Sequence, residues 1–450
     1  MSLIFKRSSS SSASVLAHHL PPHHAENIPP ISEVKRRRFP AATRTVRTMS
    51  HPSVSSAPPG PGATTVAVRT GGILHVTLNR PRALNALSLE MVRSLAGILG
   101  GAGRAGAFGT SPDGVRCLLV DGAGGKAFCA GGDVRGVYES GLGGSGVHGR
   151  GTVGLGTADF FREEYSVVHA LSLLPRDVCP QVSVWDGIVM GGGVGISVHG
   201  QYRIATENTL FAMPETGIGF FPDVGGTYFL SKLEGGIGTY LALTGARLTG
   251  PDVLYAGLAT HYVPSHRVDS FRRRLLHLPF TEDTAAGGGA VAEVLDRYHD
   301  PSAGSASRLA ADREEIDVCF SETHQTVEEI LDALGVRASE GSAFAQKTLV
   351  ALRTKSPTSL RVTLEGLRRG AALDTLAECL RMEYRLSQAF MRQDSDFYEG
   401  VRSVLVDKDH SPRWNPGSLE DTSDEYVLSH FENLGEQELE LLGWDWSSKL

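Results

Sequence analysis

Two acidic residues, Glu215 and Asp223, each sit directly after a proline, and both lie downstream of two glycine clusters. The first cluster is KAFCAGGD (126–133) and the second is MGGGVG (190–195). Glycine at a helix start presents backbone N–H groups where the helix dipole favours negative charge. A neighbouring carboxylate moves protons or activates water. An anion hole beside a carboxylate pair suits chemistry on a carbonyl, most simply a thioester. Gly132 and Gly192 are the candidate donors, two backbone N–H groups aimed at one oxygen, and losing one such donor costs roughly 10²–10³ in rate. Taken singly, Gly-Gly-Asp is an ordinary turn and a glycine triplet an ordinary packing site. No GxGxxG follows an early strand, so the spacing fits no dinucleotide fingerprint.

These residues need elements to hold them. Ile73–Asn79 (ILHVTLN), Val115–Asp121 (VRCLLVD) and Gln181–Trp185 read as strands. Ser88 is placed to cap a helix running through Leu95, with Glu90 in its first turn. Strands separated by helices imply parallel pairing with crossovers, an α/β fold. Beyond about residue 265 the texture turns helical and charged, in 309–333 and 371–391, and 283–292 (DTAAGGGAVA) reads as a flexible joint. Residues 141–156 read as a glycine-rich surface loop.

The 450 residues are 41% hydrophobic and 21% charged, the balance of a soluble globular chain, and no apolar run reaches a membrane span. Five cysteines without a CxxC argue for a reducing compartment and against a disulfide framework, and the 16 histidines show no metal-ligand spacing. Residues 1–50 hold eight Lys/Arg against two acids, +6, so the rest carries −13 of the total −7. That acidic body is a poor nucleic-acid binder. Residues 1–64, with poly-Ser and KRRR (35–38), read as a disordered, cleavable leader of organelle-transit type. The terminal Ser448-Lys449-Leu450 is the tripeptide read by the peroxisomal import receptor. Met49 follows the leader, so initiation at Met1 or Met49 is expected to separate a mitochondrial from a peroxisomal form. The expected division is leader 1–64, catalytic core 65–265 and helical region 266–450.

Several long motifs carry a resemblance. Asn79-Arg80-Pro81 through LNAL (84–87), AFCAGGD (127–133), DGIVMGGGVG (186–195), FAMPETGIGFFPDVGG (211–226) and LALTG (241–245) resemble the crotonase (enoyl-CoA hydratase/isomerase) superfamily. FFREEY (160–165), SVHG (197–200), MEYRLSQAFMR (382–392) and DFYEGVRSVLVDKDHSPRWNP (396–416) resemble its 3-hydroxyacyl-CoA hydrolase branch. The resemblance implies a ClpP-like spiral of β-β-α units, and assembly into homo-oligomers is common in the family. It implies hydrolysis of a short 3-hydroxyacyl-CoA, 3-hydroxyisobutyryl-CoA in valine breakdown, with no metal or redox cofactor and CoA arriving only as part of the substrate.

Hydratases of the superfamily carry two catalytic glutamates. One corresponds to Glu215; the other falls at Gly195, which has no side chain, while Asp223 stands where hydratases usually have glycine. Displaced acid and base groups around the same hole imply a different reaction. The resemblance assigns Glu164, Gly192, Glu215 and Asp223 to substrate binding and catalysis. Glu215 is expected to activate water or to attack directly, forming a mixed anhydride. Asp223 is expected to hold the substrate hydroxyl or orient water, and Glu164 to bind the hydroxyl end or orient the others. Arg82 falls in the neighbourhood that touches CoA adenine and phosphates. A solvated loop suits Lys408, an apolar filler Cys129, and a structural role His199. Two other readings stand beside hydrolysis: an enoyl-CoA hydratase or isomerase, and a non-catalytic mitochondrial ribosome subunit.

Overall fold

The structure is a computed structural model that describes residues 63–104, 108–109, 114–142, 155–280 and 287–441. The basic leader, most of the glycine-rich stretch 141–156 and Ser448-Lys449-Leu450 lie outside the described residues. Among the described residues no helix is long and apolar enough to cross a membrane.

The strands form two sheets. The first has the order β1 (Thr65–Thr70), β2 (Ile73–Leu78), β3 (Cys117–Gly122), β5 (Gln181–Trp185), β7 (Tyr202–Ala205), β10 (His261–Tyr262). The second has the order β4 (Ala127–Cys129), β6 (Ile188–Met190), β8 (Leu210–Ala212), β9 (Leu248–Thr249). Among the described residues only β1 on β2 and β9 on β8 are antiparallel. Each turn of the chain therefore gives one strand to each sheet: β3 then β4, β5 then β6, β7 then β8. Helices α1 (Leu89–Arg104), α2 (Val134–Leu142), α3 (Leu155–Ser172) and α4 (Gly192–Val198) make the crossovers.

Side chains alternate across the first sheet. Leu74, Val76, Leu118 and Val120 enter a large core that continues through the C-terminal helices as far as Leu439. Ile73, Cys117, Leu119, Val182 and Val184 face the other way and are covered by helices Ser265–Leu276 and Gly287–Tyr298. With both faces covered, β3 opens as an apolar run (CLLV), whereas β5 (QVSVW) is buried along its whole length although Gln181 and Ser183 are polar.

Some boundaries differ from the sequence expectations. The helix capped by Ser88, whose Oγ accepts from Met91 N–H at 3.3 Å, extends past Leu95 to Arg104. The strand expected from Val115 begins at Cys117, and Val115 forms only an isolated bridge to Phe108. The expected joint is a helix from Gly287 onward. Packing requires its first glycine, since a Cβ on Gly287 would lie 2.1 Å from the Arg116 carbonyl oxygen.

Candidate active site

The second sheet explains how distant motifs meet. β4, β6 and β8 are parallel neighbours, pairing Cys129 with Val189 and Met190 with Ala212. Their carboxyl ends lie side by side, where open α/β sheets characteristically place ligands. Gly132, Gly192 and Glu215 each follow within three residues of such an end.

Local chemistry shapes each loop. Asn85, fully buried and at φ 58°, donates to the Ala123 and Ala127 carbonyls and accepts from Arg80 N–H at 2.9 Å. Asn tolerates this left-handed conformation where most side chains do not. Arg80 also donates to Ala86 O and pairs with Asp133 at 3.0 Å. The LNAL turn is thereby tied to the CAGGD loop, and Leu87 bridges Gly132 in parallel fashion. Gly192 is the first residue of α4, whose leading N–H groups have no acceptor within the helix.

Gly132 and Gly192 share one space. A Cβ on Gly192 would lie 3.2 Å from Gly132 N, 3.3 Å from Leu87 Cδ1 and 2.5 Å from Glu164 Oε1. A Cβ on Gly132 would meet Phe160 at 3.3 Å and Glu164 Oε1 at 4.0 Å. On the adjoining side, a Cβ on Gly191 would lie 2.8 Å from Glu215 Oε1. Two carboxyl groups thus flank the glycine backbone, with Leu87 and Phe160 as apolar wall. Phe220 and Phe221 belong to an aromatic cluster with Phe161, Phe390 and Phe397.

Glu164, Glu215 and Asp223 are all buried, at 2%, 7% and 6% exposure. Glu163 beside Glu164 faces outward and pairs with Arg93, so the acidic dipeptide splits between surface and interior. Tyr165, fully buried on α3, donates to Asp223 Oδ2 at 2.9 Å. Glu164 Oε1 and Glu215 Oε2 are buried oxygens with no partner of their own. Burial raises the Glu164 carboxyl well above its usual range, reinforced by Asp223 and Glu215. Burial does the same for Glu215, with Asp223 adding and Lys355 opposing. Burial lifts Asp223 to about 7, against the hydrogen bond from Tyr165. Three like charges in one dry space cannot all ionise near neutrality, so the cluster holds and releases protons in the range where acid–base chemistry is run.

Gly195 has a physical cause. A Cβ there would stand 2.4 Å from Val224 Cβ. Val224, at φ 53°, fills the place where a hydratase's second glutamate would begin. His199 Nε2–H donates to the Val224 carbonyl at 3.0 Å, and burial lowers the imidazole to about 4, keeping it neutral. Cys129 is buried with its thiol pushed up to about 12 by burial, so it is not a nucleophile. Arg82 stands exposed on the turn Pro81–Ala83, outside the carboxyl cluster. Lys408 is also exposed, at φ 58°. Sequence reasoning missed Tyr165, Leu87 and Phe160. FFREEY contains two of them, but only the helical face they share with Glu164 reveals their use.

Two sheets wound in β-β-α turns, with backbone amides and carboxyls gathered at the strand ends, define the crotonase class of acyl-CoA enzymes. The enoyl-CoA hydratase/isomerase family model matches residues 73–431, and the chain belongs to that family. Solved structures agree. A carnitinyl-CoA dehydratase from Mycobacterium thermoresistibile is 37% identical at TM-score 0.72, covering 84% of this chain and 99% of its own. An enoyl-CoA hydratase from Rhodobacter sphaeroides is 33% identical at TM-score 0.70, covering 84% and 100%. The chain is also similar to proteins named "3-hydroxyisobutyryl-CoA hydrolase, mitochondrial". That from Xenopus tropicalis is 46% identical over 371 residues, 81% of this chain and 88% of that protein. The human one is 44% identical over 369 residues, 81% and 87%.

Proposed function

We propose that this protein hydrolyses 3-hydroxyisobutyryl-CoA to 3-hydroxyisobutyrate and CoA, a step of valine breakdown. The observation that carries the reading is two buried carboxyls, Glu164 and Glu215, set around the paired glycines with the buried Asp223 coupled to both, together with relatives of that name over most of the chain. In this mechanism the thioester oxygen accepts from Gly132 N–H and Gly192 N–H. Glu215 drives oxygen addition at the carbonyl carbon, through water or by direct attack. The C=O π pair moves onto the held oxygen, then returns and expels the CoA thiolate, which takes a proton; on the direct route a water then opens the mixed anhydride, releasing the acid and restoring the Glu215 carboxylate. Asp223, steadied by Tyr165, orients the water and carries the proton. Glu164 accepts from the 3-hydroxyl, a use for an otherwise unpartnered buried oxygen. Arg82 meets the CoA phosphates. Single turnover in ¹⁸O-water, with acid-quenched protein analysed by mass spectrometry, separates the two routes for Glu215: label in its carboxyl or an acyl adduct on it marks a mixed anhydride, and label in the product with neither of these marks attack by water.

Val224 in the place of a second glutamate argues against hydration. A non-catalytic scaffold has no use for three buried acids, each of which costs stability when charged. The test is thiol release from 3-hydroxyisobutyryl-, 3-hydroxypropionyl-, methacrylyl- and crotonyl-CoA. We expect release from the two 3-hydroxy esters; hydration of crotonyl-CoA without thiol release would overturn the reading.

The pH profile offers a second test. Hydrolysis needs the cluster to lose a proton, so kcat/KM should rise about tenfold per unit toward a limb near pH 7, where Asp223 titrates. Tyr165→Phe removes the hydrogen bond that holds Asp223 down, so the limb should move to higher pH. A limb that stays put, or moves down, contradicts this role for Asp223.

We also propose that the Met1 form is mitochondrial, as the relatives' names read, and that the Met49 form is taken to peroxisomes by the import receptor through Ser448-Lys449-Leu450. Imaging both forms with an internal tag beyond residue 64, which leaves both termini free, tests this, and one shared location contradicts it.

A further inference from the structure

The turn that presents Asp223 is strained and must be held by its surroundings. Val224 has φ 53° and Gly225 φ 86°, two left-handed residues in succession. For a β-branched residue that conformation persists only where neighbouring structure over-determines it. Three supports act on this turn. Gly226 N–H donates to Asp223 O at 2.8 Å, and His199 donates to Val224 O. The third comes from far along the chain. Glu383, fully buried in the helix Leu376–Phe390, accepts from Gly225 N–H at 2.7 Å through Oε2. Its Oε1 accepts from Thr227 N–H at 2.9 Å and from Thr227 Oγ–H at 2.6 Å.

We propose that Glu383 is a positioning residue for hydrolysis: its carboxyl clamps the turn 223–227 so that Asp223 faces the glycine pair and Val224 fills the space at Gly195. The inference rests on the hydrolytic reading above. Glu383 touches no substrate atom and acts through Asp223. The site accounts for Glu164, Glu215 and Asp223 but leaves this fully buried acid without a task. Both of its oxygens meet N–H or O–H donors, so a glutamine there would turn an amide nitrogen toward one of them. Burial pushes the Glu383 carboxyl up to about 8, against the hydrogen bonds from Thr227 and Gly225. The arrangement also explains how the C-terminal helices bear on a site built from the strands.

The experiment compares wild type, Glu383→Gln, Thr227→Val and the double variant on 3-hydroxyisobutyryl-CoA, with melting curves for each. Displacement of a reacting group by a fraction of an ångström should lower kcat of Glu383→Gln by about 30-fold, with KM within about two-fold. Thr227→Val removes one of the three donors and should lower kcat by about three-fold, again with KM unmoved. The double variant should be no slower than Glu383→Gln, because both changes act on one link. Folded variants that keep kcat within two-fold overturn the role. So does activity lost only in proportion to unfolded protein. Should Glu383→Gln not fold, Thr227→Val decides: kcat reduced at constant KM supports the role, and an unmoved kcat overturns it. An active wild type with unmoved variants sinks this inference alone, whereas a wild type that releases no thiol from any ester sinks the functional reading and this role together.

Discussion

Glu215→Gln should abolish hydrolysis and at the same time stabilise the fold. Glutamine keeps the shape of the side chain but can neither take a proton from water nor attack a carbonyl. Losing that group should cost roughly 10³-fold or more in kcat. The stability gain follows from burial. The Glu215 carboxyl lies well above its usual range in the folded protein, chiefly because its charged form has lost water and secondly because Asp223 is near. A carboxyl raised in the folded state binds its proton more tightly there than in the unfolded chain. Its favourable contribution is complete below the unfolded value, near 4.5, and is lost as pH rises through the folded one. Glutamine carries no such dependence. The variant should therefore melt above wild type at pH 8, and the gap should close as pH falls toward 5. Thiol release together with melting at the two pH values checks both halves. An active variant removes Glu215 from the mechanism, and a variant that melts lower at pH 8 contradicts the charge cost.

The second large effect belongs to a single methyl group. Gly192→Ala places a Cβ 2.5 Å from Glu164 Oε1 and 3.2 Å from Gly132 N. The Glu164 carboxyl must swing away, and the methyl stands where the thioester oxygen needs to sit. Both consequences act on the reacting centre, so kcat/KM should fall by about 10²–10³. Gly335→Ala is the matched comparison. It lies inside the helix Val327–Ser339, where a Cβ meets nothing within 4 Å. There the same change should leave activity alone and add about 0.5–1 kcal/mol of stability. Wild-type turnover in Gly192→Ala would mean that the space between residues 132 and 192 is not where the carbonyl binds.

Much of the candidate site was legible because its residues sit in contiguous motifs. Gly132 and Gly192 could be picked out by type and by the strand before them, Glu215 and Asp223 by type and by the proline directly before each. Glu164 was less clear, since a Glu-Glu pair on a helix reads equally as a solvated face. One residue faces Arg93 and the other the interior, a difference of 100° of helix rotation that only packing reveals. Tyr165 follows from the same rotation. Glu383 left no local signal at all, because its partners Gly225 and Thr227 lie some 156 to 158 positions away in the chain.

What the sequence by itself determined is local: apolar strand runs, Ser88 as a cap, glycines at strand ends, and prolines ahead of two acids. Those features depend on a few neighbouring residues, so they survive being read in one dimension. Tertiary structure alone decided that β4, β6 and β8 lie side by side, so that loops from three turns of the chain meet. It also decided which acids are dry and that Val224 takes up the room at Gly195. Burial and charge coupling depend on every element that closes over a side chain, and those elements are contributed by segments with no sequence proximity to the groups they enclose.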